Sequence, residues 1–401
     1  MAVYLEELQV VGAKVEATQN TAATLSATDY FLAEATDPEV IPEMLPRNYQ
    51  RQSLDEIAKV LGHCWVKLKI KTELKGSGTA GSAYAPLSAL LQSCGMTETV
   101  VASGGIKSTA VTAGGSGYTS SPTVIFTPVS GGSGAAAIAL ISGGAVVAII
   151  ITNPGSGYAS GAGATISFSG GGGSGATATA TSGAAILYVP TSNPGSNMFT
   201  PGKSVTLESY KGATTNAIKH QIKGAVAESF KISNGAAKIT MAEFDMIGLY
   251  TAISNANTPS TTYNTTLPAV WASGTFAGMG FNHIISKFEY DMGIKTTHRT
   301  DPGSAYGVKG FLKTGHDPKG SFDPEVDLIA SHDAIATLLA NTVSPMGIIC
   351  GASAGNTIQI GFPAAQYVGH KYGNRNGIIT HELGLQFNQS AGDDHISILF
   401  T

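Results

Sequence analysis

The sequence predicts an all-β protein with minor helix. The expected architecture is an antiparallel β-sandwich or barrel with one or two flanking helices, plus a small inserted β-repeat domain. Four observations carry that expectation. Charged residues make up 12% of the 401 residues, about half the usual ~25%. Glycine is abundant at 50 residues, and a chain rich in Gly, Thr and Val leans towards strands joined by turns. Short β-rich runs bounded by glycine and polar turn signals recur along the whole chain, against two helical patterns. Finally, a glycine-rich central stretch repeats itself at a fixed period.

In chain order, the first clear element is WVKLKIKTEL at Trp65 to Leu74. Val66, Leu68, Ile70, Thr72 and Leu74 point one way, and Lys67, Lys69, Lys71 and Glu73 the other. Such alternation marks a half-buried antiparallel strand. A helix follows, with Pro86 in its first turn, Leu87, Leu90, Leu91 and Cys94 at helical spacing, and Gly95 as its stop. Further strands are expected at 203–208, 227–232, 238–250, 284–292, 308–313, 324–329, 346–350, 357–362, 377–387 and 396–400. A second helix is expected from about Asp333 to Leu339, with Ile335, Leu338 and Leu339 on one face and Asn341 as its stop.

Between about Gly104 and Gly183 the only charged side chain is Lys107. Tyr118 and Tyr158, each in a GSGY sequence, sit forty residues apart. NPGS recurs at Asn153 and Asn193. A period of this length means two copies of one supersecondary unit stacked side by side. Strands are expected at 123–127, 137–141, 145–152, 165–168 and 177–181. SPTVIFT and AVVAIIIT are too apolar for a solvated linker, so the stretch reads as an inserted β domain. The expected division is 1–103 and 186–401 for the main domain and 104–185 for the insert. Ile186 to Val189 fits either the insert's last strand or the returning strand of the main domain.

Net charge is −4 with a pI near 6.1, so composition offers no basic grip for nucleic acid. The N-terminus has no basic segment leading into an apolar one, so no secretory leader is expected. The longest apolar run, Ala145 to Ile151, is too short to span a bilayer. Cys64, Cys94 and Cys350 are scattered and odd in number. They read as buried thiols in a protein assembled in a reducing cytoplasm.

Several motifs mimic chemistry. GSGTAG at Gly76 to Gly81 matches a dinucleotide fingerprint, but the preceding strand carries three lysines on one face and no acid-bearing strand follows at the required distance. GASAG at Gly351 to Gly355 matches a nucleophile elbow, yet it leads into an alternating strand, so it reads as a hairpin turn. His316, His332 and His395 each neighbour an aspartate without forming a ligand or triad spacing. Asp317, Asp323, Glu325 and Asp327 lack the alternation of a calcium loop, and Asp-Pro turns account for them. No cofactor or metal is expected, and no catalytic residue.

One pattern is more specific. Glu243 and Asp245 alternate with Ala242, Phe244 and Met246, and Glu289 and Asp291 alternate with Phe288, Tyr290 and Met292. Two strands thus each expose a pair of acids on one face. The plain reading is a solvated sheet face; the sharper one is a wall that repels an anion.

Six stretches, in order, resemble the tail tube proteins of long-tailed bacteriophages. They are KIKTELKGSGTAGSAYAPLSALLQSCGMTETVV at Lys69 to Val101, EFDMIGLYTA at Glu243 to Ala252 and KFEYDMG at Lys287 to Gly293. TGHDPKGSFDPE at Thr314 to Glu325, ASAGNTIQIGFPAAQYVGHKYGNRNGI at Ala352 to Ile378 and FNQSAGDDHISI at Phe387 to Ile398 complete the set. The insert is similar instead to GSGY repeats carried as add-on modules by phage structural proteins.

The resemblance implies a structural, non-enzymatic virion protein, assembled in the bacterial cytoplasm as stacked hexameric rings. Its partners would be copies of itself and other tail proteins (tape measure, tail terminator, distal tail), with no membrane. DNA would pass through the lumen without specific binding, past Glu243, Asp245, Glu289 and Asp291 as the lumen-facing acids. The insert would have to lie outside the tube, where it would collide with a contractile sheath, so a non-contractile tail is expected. The alternatives are a capsid decoration or head-tail connector protein, or a glycan-binding module with Tyr118 and Tyr158 as stacking platforms.

Overall fold

The computed structural model describes residues 4–35, 37–192, 203–272, 274–351 and 353–401; the expected NPGS repeat at Asn193 lies outside them. The chain opens with β1 (Leu5–Val15), β2 (Tyr30–Phe31), β3 (Glu34–Ala35), β4 (Glu39–Leu45), β5 (Val60–Glu73), α1 (Ala85–Ser93) and β6 (Met96–Ser116). The glycine-rich stretch adds β7 (Thr123–Pro128), β8 (Ser133–Ser142), β9 (Ala145–Ser156), β10 (Gly161–Ser169) and β11 (Ser174–Pro190). Then follow β12 (Val205–Gly212), β13 (Ala217–Gly235), β14 (Met241–Leu249), β15 (Ser254–Ala256), β16 (Thr275–Gly278), β17 (Lys287–Asp291), β18 (Ile294–Thr300), β19 (Val308–His316) and β20 (Lys319–Phe322). The chain ends with α2 (Ala334–Leu339), β21 (Val343–Cys350), β22 (Ile358–Arg375), β23 (Ile378–Asn388) and β24 (Ser397–Phe400).

The protein is all-β with minor helix, and the strands pair antiparallel. One layer runs β4–β5–β14–β13–β17–β20–β23–β22. A second runs β16–β21–β22–β24–β11–β6. The long β22 belongs to both layers, with Ile358–Phe362 in the second and Ala364–Arg375 in the first. Their facing sides share one core, in which Phe288 of the first layer meets Phe276 of the second at 5.8 Å and Phe362 at 5.6 Å between ring centres. Helix α1 adds Leu87, Leu90 and Leu91 to that core. Gly95 ends it with φ +89, a left-handed conformation that costs glycine nothing.

Two expectations fail, each for a local reason. Residues 324–329 form no strand beyond an isolated Glu325–Thr380 bridge. Pro324 has no N–H to donate, and the Asp323 carboxylate takes up the N–H groups of Ser286 and Lys287 instead. In α2, Asp333 caps the helix by accepting from the Ala336 N–H at 2.8 Å, but the expected apolar face is split between core and solvent. Ala334 and Leu338 face inward, whereas Ile335 and Leu339 are exposed. Positions four apart share a face, and a six-residue helix can bury only one such pair.

The expected insert boundaries fall inside strands. Met96–Val101 of β6 pairs with Ala185–Pro190 of β11 within the second layer, and both strands then run on into the glycine-rich stretch. The change of course is a bulge at Gly183–Ala185 beside Gly104, whose φ is +69. Ile186 to Tyr188 pairs with β6 on one edge and β24 on the other, so both readings of that segment hold together.

Within the insert the two copies interlock instead of merely stacking. The first strand of each pairs with the last strand of the other, β6 with β11 and β9 with β8. Phe126 and Ile166, forty residues apart, pair directly. Tyr118 and Tyr158 are each only 5% exposed, at the heart of the insert's own core. Each closes on a glycine of the opposite copy: a Cβ on Gly173 would sit 2.5 Å from the Tyr118 ring, and one on Gly132 2.7 Å from that of Tyr158. The stacking-platform reading of these tyrosines is therefore overturned.

The insert is also docked on the body. Ile150 packs so closely on β21 and β22 that a Cβ on Gly347 would lie 2.6 Å from its Cγ1 and one on Gly361 3.0 Å from its Cγ2. The Gln359 side chain accepts from the Ile151 N–H at 3.2 Å and donates to the Lys107 carbonyl at 3.3 Å. Gly347→Ala in the full chain should cost roughly 1–3 kcal/mol in urea unfolding, the usual price of overpacking. With Gly105 to Gly183 replaced by a two-residue turn, the same substitution should cost far less. An equal cost in both backgrounds would show that Ile150 does not press on Gly347.

Candidate functional site

The first layer's solvent face brings the four candidate acids together. Phe230, Phe244, Phe288 and Tyr290 are buried, so strand alternation turns Glu243, Asp245, Glu289 and Asp291 outward. Pairing then places them on adjacent strands of one surface. They are not alone there. Cross-strand partners read Glu34, Lys71, Glu243, Lys231, Asp291 and Lys319 along a single row, followed by Gln386 and Gln366. The charges alternate in sign across six strands, three carboxylates against three ammonium groups. In the next row Asp245 stands opposite Lys69. Glu289 is the exception, set between Ser233 and Ser321.

Several of these groups touch. Lys71 meets Glu34 at 3.0 Å, Lys231 meets Asp291 at 3.4 Å, and Lys67 meets Glu228 at 2.7 Å. Lys319 turns its ammonium to Asp317 at 2.7 Å. The hydrogen bond to Glu34, with Glu243 adding a weaker pull, raises the Lys71 pKa above its ordinary value. The face is dimpled: Lys231, Ser233, Glu243, Glu289 and Ser321 line a depression of about 380 Å³. Lys67, Lys69, Glu228 and Asp245 line a neighbouring one of about 670 Å³. The acids thus belong to a charge-balanced surface, not to an uncompensated acidic wall. Lys67, Lys69 and Lys71 were legible as one face of a strand, but Lys231 and Lys319 carry no local signal. Only the strand order reveals them as partners.

The motifs that mimic chemistry are used for packing. GSGTAG and GASAG lie against each other: the Gly76 N–H donates to Asn356 Oδ1 at 2.8 Å. A Cβ on Gly76 would sit 1.9 Å from the Gly355 carbonyl oxygen. Asp323 and Glu325 are held by the Arg375 guanidinium, and Asp317 by Lys319. Among the described residues no group of three or more His, Cys, Asp and Glu is placed to hold a metal ion, and Cys64, Cys94 and Cys350 are buried.

The histidines are structural in setting. His332 stacks on Phe281 at 5.1 Å, and the rings of His316 and His395 lie 5.6 Å apart. Burial pushes His283 down to about 3 and His395 to about 4, and it lowers His316, His332 and His381 as well. No protein-family profile matches the chain, and no curated protein matches it.

Two predictions follow from this geometry. Glu243→Lys would set three lysines side by side across β5, β14 and β13 and should cost about 1 kcal/mol, since opposed charges each contribute ~0.2–1 kcal/mol. Glu243→Gln should cost less than half of that, and chemical denaturation of the two variants decides. For the histidines, a folded-state pKa below the unfolded value of 6.5 means that the unfolded chain binds the proton first. The stability present above pH 6.5 is therefore lost as pH falls towards 4, before the paired carboxylates titrate. His283→Phe should flatten the melting-temperature profile between pH 6.5 and 4.5, and an unchanged slope would exclude His283 as a contributor.

Proposed function

We propose that this chain is a structural subunit that assembles with copies of itself into the tail tube of a long-tailed bacteriophage, as stacked hexameric rings that conduct DNA. The observation that carries the reading is the opposed placement of two surfaces. The charge-balanced face is the outer side of the first layer, while the insert covers the outer side of the second at Gly347 and Gly361. A ring with the first face turned to its channel keeps the insert outside, and the bore stays open.

Edge chemistry agrees. Among the described residues no strand pairs with the outer edge of β4, and none pairs with β22 beyond Gln366 on the side away from β23. Unpaired edges are templates for another chain, and joining them around a ring removes them. The charge row begins at the β4 side of that sheet and crosses it towards β22, so in a closed ring it would become a belt. Equal numbers of carboxylates and ammonium groups give passing phosphate no net counterion gain, whereas a lysine-rich lumen would hold DNA.

Negative-stain microscopy of the purified protein should show rings and tubes, with the insert as external knobs. A protein that stays monomeric at high concentration, and no tubes in virions, would overturn the assignment. Glu243→Lys combined with Asp245→Lys should leave tubes intact but make them retain DNA in a salt-dependent manner. DNA passage unchanged by these substitutions would remove this face from the channel.

A further inference from the structure

Two exposed apolar clusters lie apart on the chain, and neither is absorbed by the edge pairing just described. The first is the tip of the β4–β5 hairpin. Its last rungs, Met44 opposite Leu61 and Leu45 opposite Val60, are exposed apolar pairs. The 46–59 loop beyond them carries Tyr49 at 67% exposure and Leu54 fully exposed. Arg47 lies over the Tyr49 ring at 5.8 Å, the apolar side chains of the tip are otherwise exposed, and exposed apolar clusters mark interaction sites.

The second cluster surrounds the segment before α2. Backbone bonds from Glu325 to the Ile284 carbonyl and from Val326 to the Ile379 carbonyl gather exposed Ile284, Val326 and Ile379 beside Leu328 and Ile329. The outward face of α2 adds Ile335. Charge distinguishes the two clusters. The arm presents Arg47 and Arg51, both exposed, ahead of Asp55 and Glu56. The patch is rimmed by Asp327 and Asp333, while Glu325 is neutralised by Arg375.

We infer that the 46–59 arm of one copy docks on the Ile284–Val326–Ile329 patch of a second copy, through apolar contact with Arg51 set against the Asp327 side. Because arm and patch are different surfaces, the contact is head-to-tail and propagates from copy to copy. It rests on the self-assembly reading above and supplies a second interface, which joins one ring to the next where edge pairing closes each ring.

Leu54→Asp should leave the subunit folded, because the Leu54 side chain is fully exposed. Rings should persist, and stacked tubes should fall at least tenfold by microscopy and sedimentation. Arg51→Glu and Asp327→Arg should each weaken stacking, and the two together should restore it. With the native cysteines buried, Leu54→Cys with Ile329→Cys should give disulfide-linked multimers on mild oxidation of assembled protein. Normal stacking in Leu54→Asp, no rescue in the charge swap, or no crosslink in tubes would overturn the inference. Failure of the ring reading looks different: the crosslinked chains would form without closed rings.

Discussion

The strand register of the first layer is the constraint on which the rest depends. In β5, β14, β13, β17 and β20 the same alternation that buries Ile70, Phe244, Phe230, Tyr290 and Phe322 sets out the row from Lys71 to Lys319. A slip of one residue in any strand would send its aromatics to solvent and its charges into the core. Each buried aromatic or Leu contributes ~1.5–3 kcal/mol, against ~0.2–1 kcal/mol for each cross-strand charge pair. Burial therefore fixes the register, and the charge row follows from it. Opposite charges facing each other then remove the penalty that a like-charged row would add.

Long strands carry this constraint from one layer to the next. β22 leaves the second layer after Phe362 and joins the first, while β6 and β11 leave the second layer and become the insert. At each passage the chain uses glycine or a bulge: Gly104 and Gly183 at the insert, and Pro363 and Ala364 of β22 set opposite the single Pro345 of β21. The insert is consequently not a bead on a tether. Its first and last strands are continuations of body strands, and Ile150 seats it on two glycines whose lack of a Cβ makes room.

Much of this was legible in the sequence because it is periodic. The alternation of Trp65 to Leu74, the Pro86-to-Gly95 helix and the forty-residue repeat are local patterns that the fold has no reason to override. What could not be read depends on partners distant in sequence. Lys231 and Lys319 become counterparts of Glu243 and Asp291 only through strand order. Tyr118 and Tyr158 look like exposed platforms until the opposite copy's glycines close over them. The α2 misreading is different in kind: a six-residue helix holds too few positions for hydrophobic spacing to decide between faces offset by one residue. Glycine-rich runs such as GSGTAG are ambiguous for a related reason, since close backbone approach serves a phosphate and a neighbouring loop equally well. Here Gly355 is the neighbour.

The balance of the charged face bears on what kind of channel wall it could be. A wall of acids alone would repel phosphate, but carboxylates about 5 Å apart on adjacent strands would also repel each other, in every copy of a ring. Setting a lysine between successive carboxylates removes that self-repulsion and leaves a polar surface of small net charge. Such a surface would have its ammonium groups already engaged, as Lys71 is by Glu34 and Lys231 by Asp291. A passing phosphate would have to displace a carboxylate to gain a partner. On this view low friction comes from lysines that are occupied, and Glu289, flanked by serines, supplies the residual negative bias.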